Sequence, residues 1–182
     1  MNRIPLIDRA SAPAPASVAG TLDAIHGAFG ATPNMFRTVA QSPAALNAMW
    51  GFFGALGNGG SIDAQLGEKI AVAVANRNDC HYCLAAHTAL GRKAGASAAE
   101  MGAAQTGQSD DPRTAAALAF ALSLVEARGQ VSEADVQALR SAGFSDGQVV
   151  EIVAHVALNL FTNYVNVAFA VPVDFPSVAL RR

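Results

Sequence analysis

Residues 68–87 read EKIAVAVANRNDCHYCLAAH, and its second half, Asn78-Asp79-Cys80-His81-Tyr82-Cys83-Leu84-Ala85-Ala86-His87, departs most from ordinary core composition. Both cysteines of the chain lie here, three residues apart. The Ala-rich run before Asn76 predicts a helix capped by Ser61, and Asn78-Asp79 a cap for a second helix from Cys80 to about Ala94, closed at Gly95. Three-residue spacing sets both sulfurs on one side of a helical turn, with Cys80 in the first turn. The unpaired N–H groups of that turn favour an anion and so stabilise a thiolate, the nucleophilic form. One sulfur can then attack while the other resolves.

His87 follows Cys83 by four residues and Cys80 by seven, on the same face, and can exchange a proton with a thiol near neutral pH. His81 points elsewhere on the helix. Glu68, on the preceding helix, is the nearest upstream acid that can fold back over the dithiol. Three other readings compete with redox chemistry. Two cysteines in an apolar helix can be inert packing. Zinc would want four ligands, and Cys80, Cys83, His81 and His87 could be counted, but His81 faces away and no second CxxC exists. A thioredoxin-like site needs a strand before its CxxC, and none is evident.

Outward from this segment the chain reads as helix after helix. Prolines 13 and 15 suggest an extended arm over residues 1–20. Short helices are expected at Thr21–Phe29 and Pro33–Ala40, and Ser42-Pro43 opens a helix to about Leu56. Ser97–Glu100 and Ser145–Gln148 read as capping boxes, Ser132–Asp135 as a weaker one, and Asp111-Pro112 starts a helix to about Arg128. The last helix is expected from Ser145 to about Ala170, stopping before Pro172. No linker divides the chain, so residues 1–182 form one all-α domain, with the redox helix pair at 61–95 and the last long helix and tail at 145–176.

Hydrophobic residues make up 52% of the 182 and charged residues 14%, so part of the apolar surplus is expected in subunit interfaces. A net charge of -2 without a basic run gives no reason to expect nucleic acid. The stretch from Ile152 to Val173 is long and apolar, but it carries His155, Asn159, Asn163 and Asn166, which favours a packed helix over a membrane span. The N-terminus does not read as a signal peptide, and a cytoplasmic location is expected, where a close cysteine pair is more often catalytic or metal-binding than a staple. Asn159, Asn163 and Asn166 should bond to another helix, another subunit or the active-site wall, most simply as a structural amide ladder. His155 reads as a satisfied core histidine, and Trp50, Phe52 and Phe53 as core or interface.

The spacing Glu68, Cys80-x-x-Cys83, Cys83-x-x-x-His87 resembles the signature of the carboxymuconolactone decarboxylase-like superfamily, specifically its alkylhydroperoxidase D-like, peroxidase-related branch. Pro33-Asn34-Met35-Phe36, Ala71 to Asn76, Ala86-His87-Thr88, Asn163-Tyr164-Val165-Asn166 and Val171 to Pro176 extend the resemblance over roughly residues 3–176. It implies an all-helical fold assembled into trimers or hexamers. It also implies an antioxidant hydroperoxide reductase in which Cys83 attacks the peroxide, Cys80 resolves it as a disulfide, and Glu68 and His87 relay the proton. No cofactor or metal is implied. The implied partners are a small-molecule hydroperoxide, a dithiol donor such as a lipoylated protein, and further copies of the chain. One departure stands out: Tyr82 occupies the place of a further relay histidine, with His81 one position earlier. Tyr82, His81 and Asn163 are therefore supporting candidates. The alternative is a redox-sensing or ligand-binding oligomer that uses the same disulfide as a switch without turnover.

Overall fold

The computed structural model describes residues 2–7 and 16–182, and these form nine helices with no strand among them: α1 Ala16–Phe29, α2 Asn34–Val39, α3 Pro43–Gly59, α4 Ala64–Arg77, α5 His81–Lys93, α6 Ala98–Ala104, α7 Pro112–Glu126, α8 Glu133–Ser141 and α9 Asp146–Phe169. The all-helical reading holds. Most helix starts carry the caps their sequences promise. Ser42 accepts from the Ala45 N–H ahead of Pro43, Asp111 caps α7, and all three boxes, Ser97–Glu100, Ser132–Asp135 and Ser145–Gln148, close in both directions.

Three boundaries differ from expectation. Of the arm expected over 1–20, residues 8–15 with Pro13 and Pro15 lie outside the described residues. Residues 16–20 are already helical, because a proline limits the residue before it and nothing after Pro15 opposes a helix. Residues 2–7 run along the fold, with Arg3 N–H bonded to the Phe169 carbonyl and Ile7 N–H to that of Arg37. The cap of α4 is Asp63, whose carboxylate accepts the Leu66 N–H; Ser61 instead gives its N–H and hydroxyl to Glu151. The cap of α5 is neither Asn78 nor Asp79 but Cys80 itself.

Helix α4 is the centre of the molecule, packed against α5, α6, α7 and α9. Ile70 through Ala75 are all buried there. The small side chains of this run let neighbouring helix backbones approach closely, while Ile70, Val72 and Val74 each contribute about 1.5–3 kcal/mol of apolar burial. Helix α9 lies across α2, α3, α4, α5, α7 and α8. By length and composition alone it could cross a membrane, but it buries Asn159, Thr162, Asn163 and Asn166 against other helices, as a core helix does. Its outer side leaves Val150, Val153, Phe161, Tyr164 and Val167 exposed.

Candidate active site

The turn from α4 to α5 is three residues long, and its geometry creates the site. Asp79 adopts a left-handed conformation, φ 51°, which short polar residues tolerate better than other side chains. That reversal leaves Cys80 as the N-cap residue, its Sγ accepting the Cys83 N–H at 3.2 Å. A sulfur thus does the work usually left to Ser, Thr or Asp oxygen. Cys83 follows one turn later, and the two Sγ atoms are hydrogen-bonded to each other at 2.6 Å, both thiols free.

The pair shares its charge unequally. Hydrogen bonding from Cys83, aided by the Cys83 and Tyr82 backbone N–H groups, holds Cys80 below the ordinary thiol range although burial opposes it. Burial pushes Cys83 well above that range, and the neighbouring Cys80 adds to the rise. Of the two sulfurs Cys80 therefore gives up its proton more readily and Cys83 holds it more tightly. Two amides on α9 partly offset the burial of Cys83: Asn166 Nδ2 donates to its Sγ at 3.1 Å, and Asn163 also lowers it. Asn163 is oriented by Asn78 Nδ2, which donates to Asn163 Oδ1 at 2.9 Å. The expected amide ladder is in this sense a wall of the candidate site.

Glu68 and His87 come together as the spacing suggested, Oε2 to Nδ1 at 2.7 Å, with side chains 24% and 12% exposed. Gly91, one turn beyond His87, permits this approach: a Cβ there would stand 3.3 Å from Glu68 Cβ and collide with Met101. His87 and Cys83 both line one small apolar cavity of about 30 Å³, walled by Phe29, Phe36, Phe53 and Phe175. Cys80 lines a different, more open cavity with Asp79, His81 and Val167. His81 is exposed and forms part of this outer wall, away from Glu68 and His87.

Tyr82 is buried, and its hydroxyl accepts the Met35 N–H at 3.2 Å. Burial raises the phenol far above its ordinary range, and a hydrogen bond with Asp174 adds to the rise. Asp174 also accepts the Asn34 N–H at 2.7 Å, Asn34 Nδ2 donates to the Pro172 carbonyl, and Phe175 packs edge-on to the Tyr82 ring at 5.7 Å. Tyr82 thus anchors the C-terminal segment 172–175 as a roof over the Cys83 cavity. Sequence reasoning offered no signal for Asp174 or Phe175 beyond their place in the familiar tail.

A second cavity of about 170 Å³ adjoins the first, sharing Phe53 and His87 as walls and including Glu68, His155 and Asn159. His155 is not the satisfied core histidine expected. Its Nε2 is buried without a hydrogen-bond partner among the described residues, as is Asn159 Oδ1, and burial lowers the imidazole's basicity. The ring stands over Gly67, where a Cβ would meet Cε1 at 3.1 Å.

Residues 43–127 match the carboxymuconolactone decarboxylase family. Among solved structures, the chain is similar to the alkylhydroperoxidase AhpD core of a peroxidase-related protein from Ralstonia eutropha JMP134, with 28% identity, 95% of this chain and 92% of that one covered, and a TM-score of 0.85. A peroxidase-related protein from Silicibacter sp. TM1040 matches at 26% identity over 98% of this chain and 92% of its own, TM-score 0.80. The debrominase Bmp8, as a cysteine-to-alanine variant in complex with 2,3,4-tribromopyrrole, shares the fold at 21% identity, covering 94% of this chain and 91% of its own, TM-score 0.79. No curated protein matches the chain.

Proposed function

We propose that this chain, a member of the carboxymuconolactone decarboxylase-like superfamily through residues 43–127, is a cytoplasmic thiol-dependent hydroperoxide reductase of the alkylhydroperoxidase D-like kind. The observation that carries the reading is the hydrogen-bonded Cys80–Cys83 pair, 2.6 Å between sulfurs, on the same helix as the His87 bound to Glu68. In the proposed cycle Cys83 passes its proton to Cys80 or His87 and attacks the distal oxygen of ROOH. The O–O bond breaks, the alkoxide leaves as ROH with a proton returned through His87 and Glu68, and Cys83 becomes a sulfenic acid. Cys80 then attacks that sulfur, water leaves, and a disulfide forms. A dithiol donor, such as a lipoylated protein, restores both thiols by two exchanges and is itself oxidised to a disulfide.

The arrangement supports a division of labour between the sulfurs. Cys83 faces the smaller, apolar cavity, suited to an organic oxidant, and Cys80 the larger and more open outer one, suited to a reductant. The departure at Tyr82 fits the same reading: a buried phenol tied to Asp174 and Met35 roofs the cavity, and Cys80, Glu68 and His87 carry the proton. The exposed apolar stripe of α9 supports association of copies of this chain into trimers or hexamers.

The test is stopped-flow oxidation of reduced protein with hydrogen peroxide and cumene hydroperoxide, with thiols counted by mass. Cys83→Ser should abolish peroxide consumption, and Cys80→Ser should accumulate a sulfenic acid on Cys83. If both variants consume peroxide like the parent, the reading is wrong. Bromide released from 2,3,4-tribromopyrrole without peroxide consumption would move the same dithiol to reductive dehalogenation. A disulfide formed only by thiol exchange would make the pair a switch.

A further inference from the structure

We propose that the 170 Å³ cavity beside the dithiol is a binding chamber for a neutral, ring-sized molecule bearing an O–H or N–H donor, recognised by Asn159 Oδ1 and His155 Nε2. This rests on the hydroperoxide-reductase reading, for which it names the substrate class: an organic hydroperoxide with a hydroxyl or similar donor on its far end. The size argument is direct, since a cavity of about 150 Å³ is known to hold benzene. The 30 Å³ space over Cys83 is too small for such a ring but is large enough for a reacting O–O group. Phe53 and His87 wall both spaces, so the proposal seats the ring in the chamber and the O–O group beside the sulfur, with these two side chains between them.

The polar chemistry selects the class. Asn159 is 4% exposed and its Nδ2 is committed to the His155 carbonyl at 2.9 Å, which leaves Oδ1 as a fixed, desolvated acceptor. An unmet acceptor of this kind costs free energy that a ligand donor recovers. One turn earlier on α9, His155 Nε2 is the second buried atom without a partner among the described residues, able to donate or accept according to tautomer. A hydroxyl, which both donates and accepts, matches the two together. An anion does not: Oδ1 repels it, and the Glu68 carboxylate stands in the same wall. The apolar remainder, including Leu56 and Leu158, takes the ring.

The binding titration uses reduced full-length protein without peroxide, so a failure of turnover leaves it intact. Phenol, toluene and benzoate are titrated by calorimetry while the His155 ring is followed by NMR. Phenol should bind and shift the His155 signals, on the order of threefold to tenfold more tightly than toluene, with benzoate weakest. Asn159→Leu should erase the preference for phenol. Gly67→Ala, a substitution a helix favours, should press on the His155 ring and weaken phenol in a protein that still folds. Phenol should also raise the KM for cumene hydroperoxide while leaving kcat unchanged. Equal binding of phenol and toluene, benzoate binding as well as phenol, or a preference that survives both variants would overturn the chamber. Phenol binding without competition would overturn its link to the substrate.

Discussion

At the scale of single residues, the dithiol is controlled by which groups surround each sulfur. Cys80 takes a backbone N–H and the bond from Cys83; Cys83 takes burial and two side-chain amides. The sign follows. Cys80 loses its proton below the ordinary thiol value and Cys83 above it. Ultraviolet thiolate absorbance of the reduced protein should therefore rise in two separate steps, one on each side of that value. In Cys80→Ser a single step should remain, that of Cys83, moved lower because Cys80 no longer adds to its rise. Asn166→Leu removes the donor on Cys83 Sγ and should move the later step higher still, slowing peroxide attack by about tenfold or more, measured by the same stopped-flow trace. The residues that sequence made legible were those whose chemistry is local: two cysteines, a histidine at helical spacing, an acid one helix upstream. Asn166 was visible only as part of a polar row, and His155 was misread, because whether a buried polar atom finds a partner depends on contacts from another helix.

At the scale of elements, the link between α4 and α5 does what a longer loop could not. A single left-handed residue, Asp79, closes it and forces Cys80 to cap the helix it begins. Asp79→Gly should leave thermal stability unchanged or slightly higher, since glycine adopts that conformation without strain. Asp79→Val should cost about 1–2 kcal/mol in denaturant unfolding and should also raise the first thiolate step, because it disturbs the cap at Cys80. The sequence signals here were correct about where helices begin and mistaken about which residue caps them. Ser61 and Asp63, like Asn78 and Cys80, are only two residues apart, and the choice between them was made by the fold around them. Glu151 captures Ser61, and the reversal at Asp79 presents Cys80. All three capping boxes, by contrast, are closed local circuits and formed as written.

At the scale of the whole molecule, α9 has two employments. Its inner side carries His155, Asn159, Asn163 and Asn166 past the chamber to the Cys83 sulfur, and its outer side carries the exposed row from Val150 to Val167. If that row is the face by which copies associate, Val153→Asp or Tyr164→Arg should yield a smaller species in sedimentation or light scattering, with helicity retained. Mean composition foretold an apolar surplus; its concentration on one helix became visible only once the opposite side was seen to be occupied. The two sides share a single rod of backbone about 36 Å long at 1.5 Å per residue. Whatever holds the outside of that rod therefore also fixes the tilt of the amides at the sulfur. If copies associate through that face, turnover per chain should depend on protein concentration, falling as the protein is diluted and returning when it is concentrated again.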